Sequence, residues 1–156
     1  MELAVRRAEQ RDIPRITELL YQVHDIHAQK RPDLFTKGAK KYTGAELSEI
    51  IADDERPIFV AECGSVVWGY AFCIFQRHSG LNTPQFTTLY IDDLCVDEKS
   101  RGMHIGSTLY DYVRNYARES GCYNVTLNVW TLNENAFGFY KSLGMDIQKY
   151  TMEQIL

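Results

Sequence analysis

Residues equipped for chemistry cluster in three parts of this 156-residue chain. The first is the stretch Leu94 to Ser107. An apolar, β-leaning run from Leu89 to Val96 ends in a charged turn carrying Arg101 and Gly102, and helical spacing begins a few residues later. A strand that feeds a helix through a glycine-bearing turn offers free backbone N–H groups at the positive end of a helix dipole, an arrangement that holds phosphate. The same pattern also fits an ordinary strand-to-helix turn, and the segment alone leaves both readings open. The second place is Asp92-Asp93, just upstream of Leu94 on the same strand. Neighbouring strand residues face opposite sides, so one of the two carboxylates is expected in any given pocket. The third is His24 and His27, three apart on one helix face, with Tyr21 and Asp25 beside them and Asp33 and Phe35 following. Two histidines are too few for a metal centre, and no metal is expected. Tyr140 sits on an apolar helix face and by itself reads as a core aromatic. Cysteines 63, 73, 95 and 122 form no Cys-x-x-Cys pair, and they read as reduced core thiols of a cytosolic protein. Cys95, without a histidine partner, reads as packing more readily than as an acyl-carrying nucleophile.

These residues need elements to position them. Glu2 to Arg7 alternates as a short strand. Asp12 is placed as an N-cap with Pro14 in the first turn, and Ile13, Ile16, Leu19, Leu20, Val23 and Ile26 predict a helix to about His27. Pro32 ends it. Thr43-Gly-Ala-Glu46 has the capping-box spacing of a second helix. Pro57–Glu62 and Val66–Gln76 predict a hairpin, with a bulge at Gly69. Residues 77–85 read as a loop, and Thr87–Val96 as a third strand. A helix follows from about His104 to Ser120, closed by Gly121. Then come a strand over Tyr123–Trp130, a helix over Asn133–Leu143 closed by Gly144, and two short strands near Met145–Gln148 and Tyr150–Ile155. The order is β-α-α-β-β-β-α-β-α-β-β. The strands around the long helix should be parallel and the rest antiparallel.

The length suits a single domain over residues 1–156 with a self-sufficient core. Apolar residues make up 45% and charged residues 24%, as in ordinary globular proteins. A net charge of −4 speaks against a general nucleic-acid binder and slightly favours a cationic partner. No apolar run approaches the roughly 20 residues that span a bilayer, and the N-terminus has no signal-peptide pattern, so neither membrane nor export is expected.

The element order, together with Leu94 to Gly144, resembles the GNAT superfamily of acyl-CoA-dependent N-acetyltransferases. The signature Arg/Gln-x-x-Gly-x-Gly/Ala falls on Arg101-Gly102-Met103-His104-Ile105-Gly106. Asn133-Glu-Asn-Ala136-Phe-Gly-Phe-Tyr140 is similar to the family's Asn-x-x-Ala-x-x-x-Tyr, and Gly144-Met145 stands where the family commonly has Gly-Phe. His104 replaces the first signature glycine. With ordinary helical dihedrals it would still donate its backbone N–H, while its imidazole either crowds the pyrophosphate, adds a charged contact or turns to solvent.

The resemblance implies a mixed α/β (α+β) GNAT-like fold, with a mostly antiparallel sheet of six to seven strands flanked by about four helices. It implies acetyl-CoA in a splayed gap beside Leu94, Cys95 and Val96, with the pyrophosphate on Gly102 to Ser107, Arg101 nearby, and Asn133 as N-cap, CoA contact or both. It implies Tyr140 as the acid that protonates the leaving thiolate, with Ala136 one turn before it. Asp92 is chosen as base, through water, because some relatives have a carboxylate there, and the transfer is direct. The acceptor would be a primary amine of a small molecule (polyamine, amino sugar or amino acid) or of a protein. The first two helices, their connector and the 77–85 loop would select it, with His24, His27, Asp92 and Asp93 as contacts. A homodimer is implied too. The alternative, motivated by His104, is a non-catalytic acyl-CoA-binding or sensing domain.

Overall fold

The computed structural model describes residues 2–39 and 41–156. The chain opens with β1 (Ala4–Arg7), a 3₁₀ turn (Gln10–Asp12), α1 (Ile13–Lys30) and α2 (Gly44–Ile51). It continues through β2 (Ile58–Cys63), β3 (Val66–Gly80), β4 (Thr83–Val96), a second 3₁₀ turn (Glu98–Ser100), α3 (Ile105–Glu119), β5 (Asn124–Leu127) and α4 (Glu134–Ser142). Among the described residues the strands form one sheet in the order β1-β2-β3-β4-β5, antiparallel except for the parallel β4–β5 pair. The mixed architecture is as expected. The sheet has five strands rather than six or seven.

The sheet is covered on both faces. Ile16, Leu19 and Leu20 of α1 and Leu47 and Ile50 of α2 pack on Ile58, Val60, Tyr70 and Phe72. Ile105, Leu109, Val113 and Ala117 of α3 pack on Phe59, Ala61, Ala71, Leu89 and Ile91. Each fully buried Leu or Ile contributes about 1.5–3 kcal/mol, so these two layers fix where the ends of β4 and α3 sit.

Local chemistry explains most boundaries. Gly64 and Ser65 both have left-handed φ, 61° and 63°, the geometry of a tight two-residue hairpin turn. Thr43 and Glu46 form the expected capping box. Gly121 and Gly144 follow their helices at φ 79° and 96°. The bulge expected at Gly69 falls beside it, with Trp68 as the extra residue between the Ala61–Gly69 and Glu62–Val67 pairs.

Several expectations are corrected. Asp12 does not cap α1 with its side chain. Its carboxylate accepts from the Glu9 N–H and twice from Arg6, and α1 continues to Lys30 instead of ending near His27. The 77–85 loop is the tip of a long β3–β4 hairpin, turning at Leu81-Asn82. Pro84 is tolerated there because β5 joins β4 only from Thr88 onward. The strand over Tyr123–Trp130 is paired only from Asn124 to Leu127. No strand forms in residues 145–156, because no backbone neighbour among the described residues pairs with them.

Candidate active site

β4 and β5 run together from Thr88–Asn124 to Ile91–Leu127, and there the pairing stops. At the next residue β4 bulges. Phe72 pairs with Asp93 and Cys73 with Ile91, which leaves Asp92 as an extra residue. Bulges bend a strand and redirect its side chains. β4 then continues to Val96 beside β3 alone, while residues 128–130 leave the sheet. The result is a splayed gap with the free edge of residues 92–96 as one wall. The Asp97 N–H donates to the Trp68 carbonyl at 2.8 Å. Alternation along the strand therefore turns the backbone groups of Leu94 and Val96 into the gap.

The bulge places both aspartates on the α1/α2 face of the sheet, correcting the expectation of opposite faces. Asp93 is inside, accepting from the buried Tyr70 hydroxyl at 2.7 Å. Burial pushes its carboxyl above the usual range, and the charge of Asp92 adds to the shift. Asp92 is nearer the surface. Its Oδ2 accepts from Lys41 Nζ at 2.7 Å and from the Tyr42 hydroxyl at 3.1 Å. Burial works most strongly against the Lys41 ammonium, but the bond to Asp92 together with the charges of Asp92, Tyr42 and Asp93 outweighs it and the pKa rises. Tyr42 stacks on Phe72, ring centroids 5.5 Å apart.

At the far end of the gap, α3 begins. The N–H groups of Ile105, Gly106 and Ser107 belong to its first turn, where no helical carbonyl can reach them. His104 is the N-cap, and its carbonyl accepts from the Thr108 N–H and from the Ser107 and Thr108 hydroxyls. Its dihedrals are left-handed, φ 57° and ψ 32°, not the ordinary helical values expected of it. The signature glycine therefore marks a position that needs positive φ, and this chain fills it with a side chain. Gly102 has φ 87° just before it. Gly106 gives α4 close access, since a Cβ there would lie 3.1 Å from the Phe139 ring. Arg101, Met103 and His104 are exposed at the rim. The whole turn is held by Asp97, 3% exposed, which accepts from the Lys99 N–H and from Arg15 of α1. Those donors hold its carboxyl below the usual range, the Lys99 N–H most strongly.

Tyr140 of α4 packs in the α3-side core, near Tyr110 and Phe139. Burial raises its phenol pKa, and the charge of Asp93 adds to the rise. A phenol so placed stays protonated and is available as a donor. Asn133 caps α4, its side chain accepting from the Ala136 N–H at 3.2 Å. Cys95 is buried, its thiol pushed up by burial and directed at the Leu19 carbonyl. That environment does not activate a nucleophile. His24 and His27 both contact the Phe35 ring, which meets Trp130 edge-on. His24 also pairs with the Thr36 carbonyl, and burial lowers the pKa of His27. The α1–α2 connector thus seats Phe35 on the histidines and returns with Lys41 and Tyr42 on Asp92. No cluster of metal-ligating side chains occurs among the described residues. The 77–85 hairpin tip lies roughly 30 Å along β4 from Asp92, at about 3.3 Å per residue, too far to select an acceptor there.

The model of the acetyltransferase (GNAT) family matches residues 20–145. The chain belongs to the GNAT family.

Thialysine N-epsilon-acetyltransferase of Bos taurus is 32% identical over 81 residues, covering 52% of this chain and 45% of that protein. The Mus musculus protein of the same name is 29% identical over 136 residues, covering 86% and 72%. The bovine match thus spans less than half of that relative. Among solved structures, a mutant protein from Bacillus halodurans superposes with a TM-score of 0.93 at 29% identity, covering 98% of this chain and 99% of its own. Glucosamine-6-phosphate N-acetyltransferase of Arabidopsis thaliana shares the fold at a TM-score of 0.72 and 22% identity, covering 99% of each chain.

Sequence reasoning missed Lys41, Tyr42, Tyr70 and the Arg15–Asp97 tie. Each is far in sequence from the partner it meets. Only Tyr42, one residue before the capping box, had a signal that placed it near an element boundary.

Proposed function

We propose that this GNAT protein transfers the acetyl group of acetyl-CoA to the primary amine of a small cationic acceptor. One observation carries the reading: Asp92, beside the strand gap, already holds a primary ammonium, that of Lys41. An incoming alkylammonium has the same charge and donors and would take that place. The relatives named for acetylating the ε-nitrogen of thialysine point to an amine at the end of a flexible side chain, which Lys41 itself imitates.

The residues present fit the cosubstrate. The N–H groups of Ile105, Gly106 and Ser107 would hold the pyrophosphate, and the positive φ of Gly102 and the missing Cβ of Gly106 keep that turn compact. Leu94 and Val96 would pair with the pantetheine arm as an added strand, and an N–H there would face the carbonyl. Bound acetyl-CoA supplies an activated thioester carbon. Asp92 would orient the ammonium and take its proton through water, with the buried Asp93 behind it. Tyr140, kept protonated, would give its proton to the departing sulfur. The Cys73, Cys95 and Cys122 thiols suit a reducing cytosol.

The test is CoA release over an amine panel that includes thialysine, lysine, polyamines and amino sugars, beside calorimetry with acetyl-CoA. Turnover should be highest for cationic primary amines. Asp92→Asn should depress the rate most at low pH, where the amine is protonated, whereas a variant parallel to wild type at every pH moves the base to Asp93 or water. A second reading, an acyl-CoA-binding domain without catalysis, is favoured only by the imidazole of His104 at the cradle rim. Acetyl-CoA binding with no CoA release from any amine would select it.

A further inference from the structure

Lys41 has no task in the chemistry proposed for the site, yet its ammonium sits on the candidate base, 2.7 Å from Asp92 Oδ2. The contact is braced from both sides. The next residue, Tyr42, donates its hydroxyl to the same oxygen at 3.1 Å and stacks on Phe72, which fixes the backbone carrying Lys41 against the sheet. Earlier in the same connector, Phe35 rests on His24 and His27, and His24 pairs with the Thr36 carbonyl. Nζ also lies 5.5 Å from the centroid of the Tyr42 ring, a face that suits a cation.

The Lys41 side chain is 42% exposed and that of Asp92 19%. The amine is open to a reagent while its partner is largely shielded. An ion pair with one exposed member favours its seat by no more than about fivefold, so Nζ leaves Asp92 readily. Leu94, whose backbone would pair with the pantetheine arm, is two residues farther along the strand, about 7 Å away. That is within the swing of a flexible four-carbon lysine stem. Lys30 and Lys141, by contrast, hold the Leu132 carbonyl and Asp146.

We propose that Lys41 is an acceptor built into the chain: with no amine bound, its ε-amine takes the acetyl group of acetyl-CoA within the same molecule, and the amide so formed vacates Asp92 for an external amine. This rests on the acetyl transfer proposed above and adds a modification site to it. Nζ, after losing a proton through water to Asp92, attacks the thioester carbonyl carbon. The C–N bond forms and the C–S bond breaks. Of the two protons the nitrogen sheds, one passes by way of Asp92 to solvent, and the other makes good the proton that Tyr140 gives to the sulfur. The products are N-acetyl-lysine at position 41 and CoA with a free thiol. Acetyl-lysine carries no charge, so its ion pair with Asp92 is lost.

Peptide mass spectrometry on the full chain, incubated with acetyl-CoA and no amine, should find acetyl on Lys41 well ahead of the exposed Lys37 and Lys149. The labelled fraction at a given time should not change on about tenfold dilution of the protein, because the reaction is intramolecular. Asp92→Asn should bring Lys41 down to the level of Lys37. A binding readout involves no turnover: thialysine titrated by calorimetry into protein saturated with CoA. Lys41→Gln, which mimics the amide, should bind it up to about fivefold more tightly than wild type, and Lys41→Arg should not. Labelling of Lys41 no faster than Lys37, a rate that falls with dilution, full labelling in Asp92→Asn, or thialysine binding no tighter in Lys41→Gln than in wild type each overturns the proposal. CoA release from the amine panel with Lys41 unlabelled ends this proposal and leaves the acetyltransferase reading standing. No release from any amine and no label removes both.

Discussion

His104 is where this chain departs from its family's signature, and its backbone makes a prediction whose sign is decisive. Its φ of 57° lies in the left-handed region, which costs a residue with a Cβ roughly 1–2 kcal/mol. Histidine is among the residue types enriched there, so its own cost is near the lower figure. Glycine escapes the clash but brings about 0.5–1 kcal/mol of extra unfolded-state entropy. His104→Gly alone should thus be neutral to slightly stabilising. The comparison with His104→Ala is sharper, because both variants lack the imidazole. At ordinary helical dihedrals alanine is the more stable of the two by about 0.5–1 kcal/mol. At left-handed dihedrals glycine should win by about 1 kcal/mol, which for a chain of this size is about 2–4 °C in Tm. Thermal unfolding of both variants at one pH and protein concentration measures it. An alanine variant as stable as the glycine variant, or more so, refutes the left-handed assignment. Calorimetry with CoA then isolates the side chain: equal tightening in both variants means that the imidazole crowds the phosphate site.

Three further outcomes are expected. Tyr140→Phe should lower kcat by about 10²-fold with little change in acetyl-CoA affinity, as read by steady-state kinetics beside calorimetry, and an unchanged kcat with chemistry rate-limiting removes it as the acid. Gly69→Ala would put a Cβ 2.7 Å from the Cys95 carbonyl and 2.9 Å from Ile105; overpacking of this kind costs about 2–3 kcal/mol, a Tm drop of roughly 5–10 °C. Asp97→Ala should destabilise by about 3 kcal/mol, because it strands Arg15 and the Lys99 N–H. The folded pKa of Asp97 is lowered, so its contribution is fully present above the ordinary carboxylate value and is lost as pH falls through the folded value. The Tm difference between wild type and Asp97→Ala should therefore be constant near neutrality and close under acid, and a difference that widens on acidification contradicts the assigned shift.

What the sequence disclosed follows the range of each interaction. Capping at Thr43, the stops at Gly121 and Gly144 and the helix faces depend on residues within about four positions of one another, and all were legible. The signature stretch was legible as a turn into a helix, but not the left-handed dihedrals of His104, because a side chain there conceals a need that glycine would have announced. The two C-terminal strands expected from alternation do not form, because alternation gives a strand's faces and not its neighbour. Among the described residues no neighbour pairs with that segment.

The two aspartates show the same limit at the centre of the site. Strict alternation puts Asp92 and Asp93 on opposite faces, and one extra residue opposite Phe72 puts them on the same one. That single insertion also coincides with the point where β4 parts from β5. One backbone irregularity therefore opens the gap and gathers two carboxylates beside it. The two carboxylates then differ in their surroundings: burial pushes the Asp93 carboxyl up against the opposing hydrogen bond from Tyr70, while Asp92, nearer the surface, holds Lys41 and Tyr42. Deleting Asp92 would restore regular pairing with Ile91 opposite Cys73 and the next aspartate still opposite Phe72 and beside Tyr70, so the site would keep its buried carboxylate and lose the one that holds Lys41 and Tyr42. The geometry of the site thus depends on how many residues the strand has at this point as much as on which residues they are.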